Sequence, residues 1–188
     1  NKTGTEFIIN SGISGNQNGL YISNNKDNCL ITWESDNDSG IKTINGSILQ
    51  IDNEGQLSKS QPDIFIKSVA NGNPLDVVTC SNGNNYIVLW ASSDDTFIYG
   101  QIIDFNGAKT GDEFRISATT DVFLNSYFSY YNDSIKVTSS GTDYCVTWSE
   151  YKGGMKCYIY STVVLDNGSV LNEKNIITDS VDPYFTGK

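Results

Sequence analysis

Asn85-Tyr86-Ile87-Val88-Leu89-Trp90 is an apolar run ending in tryptophan, and the chain carries two counterparts, Asn28-Cys29-Leu30-Ile31-Thr32-Trp33 and Asp143-Tyr144-Cys145-Val146-Thr147-Trp148. The three tryptophans stand 57 and 58 residues apart. A fixed period of this size marks a unit that cannot bury its apolar face alone and must stack on copies of itself.

Around each Trp strand the same neighbours recur. A strand of the type Glu6-Phe7-Ile8-Ile9-Asn10 appears again as Asp63-Ile64-Phe65-Ile66-Lys67, as Glu113-Phe114-Arg115-Ile116-Ser117 and, degenerate, as Lys174-Asn175-Ile176-Ile177-Thr178. It occurs four times against three Trp strands. A second type is Leu20-Tyr21-Ile22-Ser23, Val77-Val78-Thr79-Cys80 and Ile135-Lys136-Val137-Thr138. A last type runs into a turn with a recurring glycine, Gly55, Gly107 or Gly168, where a positive φ favours a residue without Cβ. No helical periodicity is evident.

Four short antiparallel strands per repeat predict an all-β, propeller-like array of about three four-stranded blades; the competing architecture is a β-sandwich. The expected organisation is one domain, 1–188, with repeats at about 5–60, 61–111 and 112–172 and an extra terminal strand at 173–180. Closed propellers have four to eight blades, so three do not close a ring. Either the chain is part of a longer array or several chains complete one assembly. The surplus strand, near Phe7 or near Ile176, is expected to complete a sheet on a neighbour by edge addition, or to close the molecule's own sheet.

The middle repeat carries a family likeness in Gly83, Tyr86, Val88 and Trp90, then Tyr99-Gly100-Gln101, Asp104-Phe105-Asn106-Gly107 and Gly111-Asp112-Glu113-Phe114-Arg115-Ile116-Ser117. It resembles the tandem repeats of large secreted and cell-surface proteins of bacteria and ciliates. That resemblance implies a propeller-like, extracellular, adhesive or structural protein with no catalytic residues to carry over. The other repeats depart from it: Cys157-Tyr158-Ile159-Tyr160 replaces the Tyr-Gly-Gln stretch, Asp166-Asn167-Gly168 is one residue shorter, and Ile176 stands where Phe is expected.

Composition narrows the function. Acidic residues outnumber basic ones 22 to 12, which disfavours nucleic acid and anionic lipid as partners. No apolar run reaches the roughly 20 residues of a membrane span. A start at Asn1 without Met reads as a mature product or an excised fragment. With no histidine, a Ser-His-Asp triad, a His-activated cysteine and a His-ligated zinc are all excluded, and catalysis would rest on carboxylates. A carboxylate glycosidase is the enzymatic alternative. Asp52, Asp104 and Asp166, however, recur once per repeat, as turn residues that cap backbone N–H groups do.

Four site classes follow. Cys29, Cys80, Cys145 and Cys157 form no metal or redox motif; a Cys145–Cys157 disulfide across a hairpin is expected, leaving Cys29 to pair with Cys80, with reduced core thiols as the alternative. Of five sequons, Asn37, Asn45, Asn132 and Asn167 are candidate glycosylation sites, with Asn1 the fifth. Asp36 and Asp38, with Glu34 nearby, offer oxygen ligands in a short loop that suits Ca2+; a solvated acidic loop is the simpler reading, and no other cofactor is implied. Tyr127, Tyr130 and Tyr131 cluster in a longer insertion where aromatic faces stack on sugar rings in a lectin-like site, unless alternate aromatics fill the core. The leading expectation is a non-enzymatic extracellular or cell-surface structural glycoprotein whose partners are other copies of itself; the alternative is a carbohydrate-binding module recognising surface glycans.

Overall fold

The computed structural model describes residues 6–10, 15–36, 41–59, 61–69, 74–92, 97–117, 135–151, 157–171 and 175–176. They form three antiparallel sheets and no helix. The first contains β1 (Asn16–Asn25), β2 (Asn28–Asp36), β3 (Lys42–Ile51) and β4 (Leu57–Lys59), with β5 (Ile64–Val69) also pairing β3. The second runs β6 (Pro74–Ser81), β7 (Asn85–Ser92), β8 (Ile98–Asp104), β9 (Lys109–Arg115). The third runs β10 (Ile135–Ser139), β11 (Tyr144–Tyr151), β12 (Cys157–Val164), β13 (Asn175–Ile176).

Each Trp strand is second in its sheet, and its alternate residues point to opposite faces. Tyr86, Val88 and Trp90, with Ile103, pack onto Leu30, Ile44, Ile48 and Ile66 of the first sheet. Ile87, Leu89, Ala91 and Ile102 pack onto Tyr144, Val146, Trp148 and Val164 of the third. Both faces of the middle sheet are therefore buried, which is why its Trp strand reads as a continuous apolar run rather than an alternation. A two-layer sandwich would leave each sheet one solvated face. The opening strand β6 lies against both β1 and β10, so the sheets are arranged as propeller-like blades.

Hydrogen bonds repeat the stacking. The Tyr86 hydroxyl donates to Asn28 Oδ1, and the Tyr144 hydroxyl donates to the Asn85 carbonyl at 3.0 Å. Burial pushes both phenols well above their ordinary pKa, so they stay protonated donors. In the opening strands a bulge recurs: Gly19 (φ +58°) and Asp76 (φ +51°) occupy matching positions, where the chain needs a left-handed residue.

The turn glycines have the expected positive φ, +75° at Gly55, +88° at Gly107 and +86° at Gly168. Asp104 Oδ1 accepts the Asn106 and Ala108 N–H groups at 2.9 and 2.8 Å, and Asp52 does the same for Glu54 and Gln56. The third turn is offset. Gly168 N–H bonds the Leu165 carbonyl, where the other two glycines bond Asp52 and Asp104, so Asp166 stands one place late and Asn167 accepts from Ser169 instead.

Two expectations are corrected. Strands Ile64–Val69 and Lys109–Arg115 close the first and second sheets rather than opening the next repeat, so the sheets occupy Asn16–Val69, Pro74–Arg115 and Ile135–Ile176. The disulfides do not form: Cys29, Cys80 and Cys145 are free thiols. β11 and β12 do pair antiparallel, but Cys145 lies opposite Val163 and Cys157 opposite Tyr151. That offset of six positions is roughly 20 Å along a strand, against the roughly 7 Å Cα limit for a disulfide. Cys29 and Cys80 lie on different sheets and face apart, Cys29 beside Trp33 and Cys80 against the third sheet.

Gly100 is a packing requirement. A Cβ there would sit 2.5 Å from Phe114 Cε2 and 2.8 Å from Leu89 Cδ2. Gly100→Ala is expected to lower unfolding free energy by about 1–3 kcal/mol, the usual range for overpacking, read by urea denaturation. Gly55→Ala tests a different cost, backbone strain at φ +75° with no neighbour within 4 Å.

Candidate interaction surface

In the second and third sheets, the face bearing the tryptophan is covered by the preceding sheet. The first sheet has the same face. It carries Cys29, Ile31, Trp33 and Leu49, all buried. Directly across β1, Ile22 pairs with Ile31, so Ile22 and Leu20 share this face, at 65% and 72% exposure. Ile51, Leu57 and Phe65 extend it by register and are also exposed.

What covers Trp33 is the segment 6–10. Ile9 packs on the Trp33 cluster, and Lys59 Nζ donates to the Ile9 carbonyl at 2.5 Å while pairing with Asp63 at 2.6 Å. This contact has a twin inside the molecule. Lys109 Nζ donates to the Ile66 carbonyl at 2.6 Å. Lys59 and Lys109 hold the same register position, opposite Leu49 and Ile103, and Ile9 matches Ile66 within the repeated strand motif. Segment 6–10 therefore sits on the first sheet where the closing strand of a preceding sheet sits on the next. Phe7, Ile8, Ile9 and Leu20 with Trp33 enclose an open cavity of about 420 Å3 whose rim includes Gln17 and Asn18.

Polar groups on this face are incompletely matched. Trp148 Nε1 donates to the buried Glu150 at 2.9 Å. At Glu150's position the first sheet has Ser35, whose hydroxyl donates to Gln17 Oε1 at 2.6 Å. Trp33 Nε1 and Ser47 Oγ are buried without an acceptor or donor.

At the other end of the stack, the third sheet's outward face is polar. Cys145 and Thr147 occupy the positions of the buried Ile87 and Leu89, and Ser161 and Val163 those of Gly100 and Ile102. Cys145 and Val163 are exposed. Among the described residues, the outer edge of β12 is paired at both ends: Val170 bridges Val164, the Leu171 N–H donates to the Val163 carbonyl at 2.9 Å, and β13 pairs with Tyr160 and Ser161.

The remaining candidate sites fare as follows. Tyr127, Tyr130 and Tyr131 lie outside the described residues, as do Asn37, Asp38, Asn132 and Asn1. Asp36 is 3.7 Å from Lys42, and no group of three or more metal-binding side chains occurs among the described residues. The Asn45 sequon is overturned: Asn45 is buried and donates to Ser35 and Thr43, each at 2.8 Å, and Ser47 of the same sequon is fully buried. Asn167 is exposed on its turn.

Sequence reading missed one acidic pair, Glu34 and Asp76, at the junction of the first two sheets. Burial raises the Glu34 pKa, Lys42 opposes that shift, and Asp76 adds to it. Nothing in the sequence brings Asp76 to Glu34; the recurrent bulge does.

No protein-family model and no curated protein sequence matches this chain. Among solved structures, it is similar to a subtype N10 neuraminidase-like protein of A/little yellow-shouldered bat/Guatemala/060/2010, at 13% identity and a TM-score of 0.46, over 85% of this chain and 43% of that one. It is also similar to a neuraminidase-like protein from A/bat/Guatemala/164/2009, with the same identity and TM-score, over 85% and 40%. The parainfluenza virus 5 hemagglutinin-neuraminidase, solved with the ligand DANA, aligns at 9% identity and a TM-score of 0.45, over 84% and 47%. The chain spans less than half the length of each.

Because the Glu34 pKa is raised on folding, the folded state favours its protonated form. The resulting stabilisation is full below its ordinary value of 4.5 and is lost as pH rises through the higher folded value. Urea unfolding from pH 4 to 7 is expected to show wild type losing more stability than Glu34→Gln. Parallel profiles would contradict it.

Proposed function

We propose that this protein is a non-enzymatic module of an extracellular or cell-surface assembly, joined to further copies of itself through its repeated sheet faces. One observation carries the reading: the Trp33 face repeats the surface that the other two sheets bury, and a segment with the closing-strand sequence motif is already held on it by Lys59. Leaving Leu20 and Ile22 in water forgoes about 25 cal/mol for each Å2 of apolar surface, which a docked sheet recovers.

The chemistry of the described residues gives an enzyme little support. The repeated turn carboxylates Asp52 and Asp104 are engaged with backbone N–H groups. The secreted-repeat resemblance supports a structural or adhesive role, and the exposed Asn167 is the described sequon able to receive a glycan.

Negative-stain electron microscopy of the purified chain is expected to show multi-chain particles. Chromogenic glycosides are expected to release nothing above buffer. Isolated single-chain globules at every concentration, or turnover abolished by Glu34→Gln, would overturn the proposal.

A further inference from the structure

We propose that two copies of this chain join through their Trp33 faces about a twofold axis, with Ile22 of each copy seated in the apolar cavity of the other. The inference rests on the assembly reading above and adds the surface, the symmetry and the contact residues.

A twofold contact sets one patch against its own copy, so the patch must fit itself. Here a knob stands beside a hole. The hole is the open cavity of about 420 Å3 walled by Phe7, Ile8, Ile9, Leu20 and Trp33. The knob is Ile22, which lies on the same face, 65% exposed, outside the cavity wall. Rotation about an axis between the two puts each Ile22 over the cavity of the other copy. The hole is framed in a single copy: Lys59 holds the Ile9 carbonyl, and Ile8 and Leu20 project from the wall as exposed side chains.

Polarity selects the same partner. An apolar face gains most from meeting another apolar face, and a second copy carries its own at Leu20 and Ile22. The opposite end of the stack, on the third sheet, presents Cys145, Thr147 and Ser161. Seating Leu20 and Ile22 there would take hydroxyl groups from water without giving them a partner.

Charge agrees. The chain has a formal net charge of −10, so two copies repel overall and a contact between them has to be locally neutral. Among the described residues, none that lines the cavity is charged. Beside the cavity, Lys59 and Asp63 neutralise each other at 2.6 Å. The cavity lining also includes Asn10 and Asn18. Their amides are donors and acceptors at once, so each can hydrogen-bond to its own copy across a twofold axis, which a charged group cannot do.

Sedimentation equilibrium on the full 188-residue chain, from about 1 to 100 μM, spans the affinities of ordinary homodimers. The expected mass stops at twice the 20.7 kDa of one chain, because a twofold contact uses up its own surface. Ile22→Asp and Ile8→Asp are each expected to weaken the dimer about a hundredfold or more, since each brings two like charges into one apolar contact. Their circular dichroism is expected to match wild type, because both side chains are exposed in a single copy. Val163→Asp, on the outward face of the third sheet, is expected to leave the dimer intact. Cys145 on that face is expected to react with a thiol reagent equally fast in monomer and dimer. Monomers throughout would overturn the twofold contact and the assembly reading together. Mass growing past the dimer, or a dimer broken by Val163→Asp with Cys145 protected, would mean that the third sheet meets the Trp33 face head to tail. Either result, or a dimer indifferent to Ile22→Asp and Ile8→Asp, would overturn the twofold contact and leave assembly standing.

Discussion

Everything in this molecule depends on one constraint: a Trp strand here is apolar on both faces, so each sheet needs a neighbour on each side. The middle sheet meets the demand, with Tyr86, Val88 and Trp90 on one side and Ile87, Leu89 and Ala91 on the other, all at or near full burial. At the ends the demand is handled differently. The third sheet relaxes it by replacing apolar positions with Cys145 and Thr147. The first sheet keeps Ile31 and Trp33 and covers them with segment 6–10. One end is thus adapted to water and the other is not, which gives the stack a direction.

Polar contacts fix the relation of one sheet to the next. Apolar faces alone slide, because the hydrophobic effect is non-directional. The Tyr86 and Tyr144 hydroxyls reach the same point of the preceding sheet, Asn28 and Asn85, and each buried donor costs about 1–3 kcal/mol if left unmatched. Gly107 and Gly168 add a steric key: each turn seats against the preceding sheet, on Ile48 and Ile64 or on Ile102 and Phe114. The first sheet has Cys29 where these tyrosines stand, and no neighbour within 4 Å of a Cβ at Gly55. Its join is consequently left to shape and to Lys59.

How far this was legible in the sequence varies with range. The Trp strands, the positive-φ turns and the capping role of Asp52 and Asp104 are local, and local pattern reveals them. Membership of a sheet is not local. The Glu-Phe-x-Ile-Ser strand follows a turn, and nothing in its residues says whether it closes the sheet behind or opens the one ahead. The misplaced repeat boundaries came from that ambiguity. The Cys145–Cys157 expectation failed on register: the centre of a hairpin is set by its loop, and shifting it by three residues moves the opposed pairs by six. Asn45 had the sequence of a glycan acceptor but the address of a core strand, and burial overrode the motif.

The surplus strand motif, four copies against three tryptophans, was the one irregularity that the sequence displayed and left unexplained. The structure gives it a physical sense. A closing strand is defined by what it lies against as much as by what it pairs with, and segment 6–10 keeps the first relation, through Ile9 and Lys59, without the second. Its backbone is held on the Trp33 face at the position that a fourth sheet's edge would occupy. A segment held in this way, beside an apolar surface and in no sheet among the described residues, is half of an interface already formed. The cost of ordering a terminal segment, about 1–2 kcal/mol per residue for the backbone, is then met before any partner arrives.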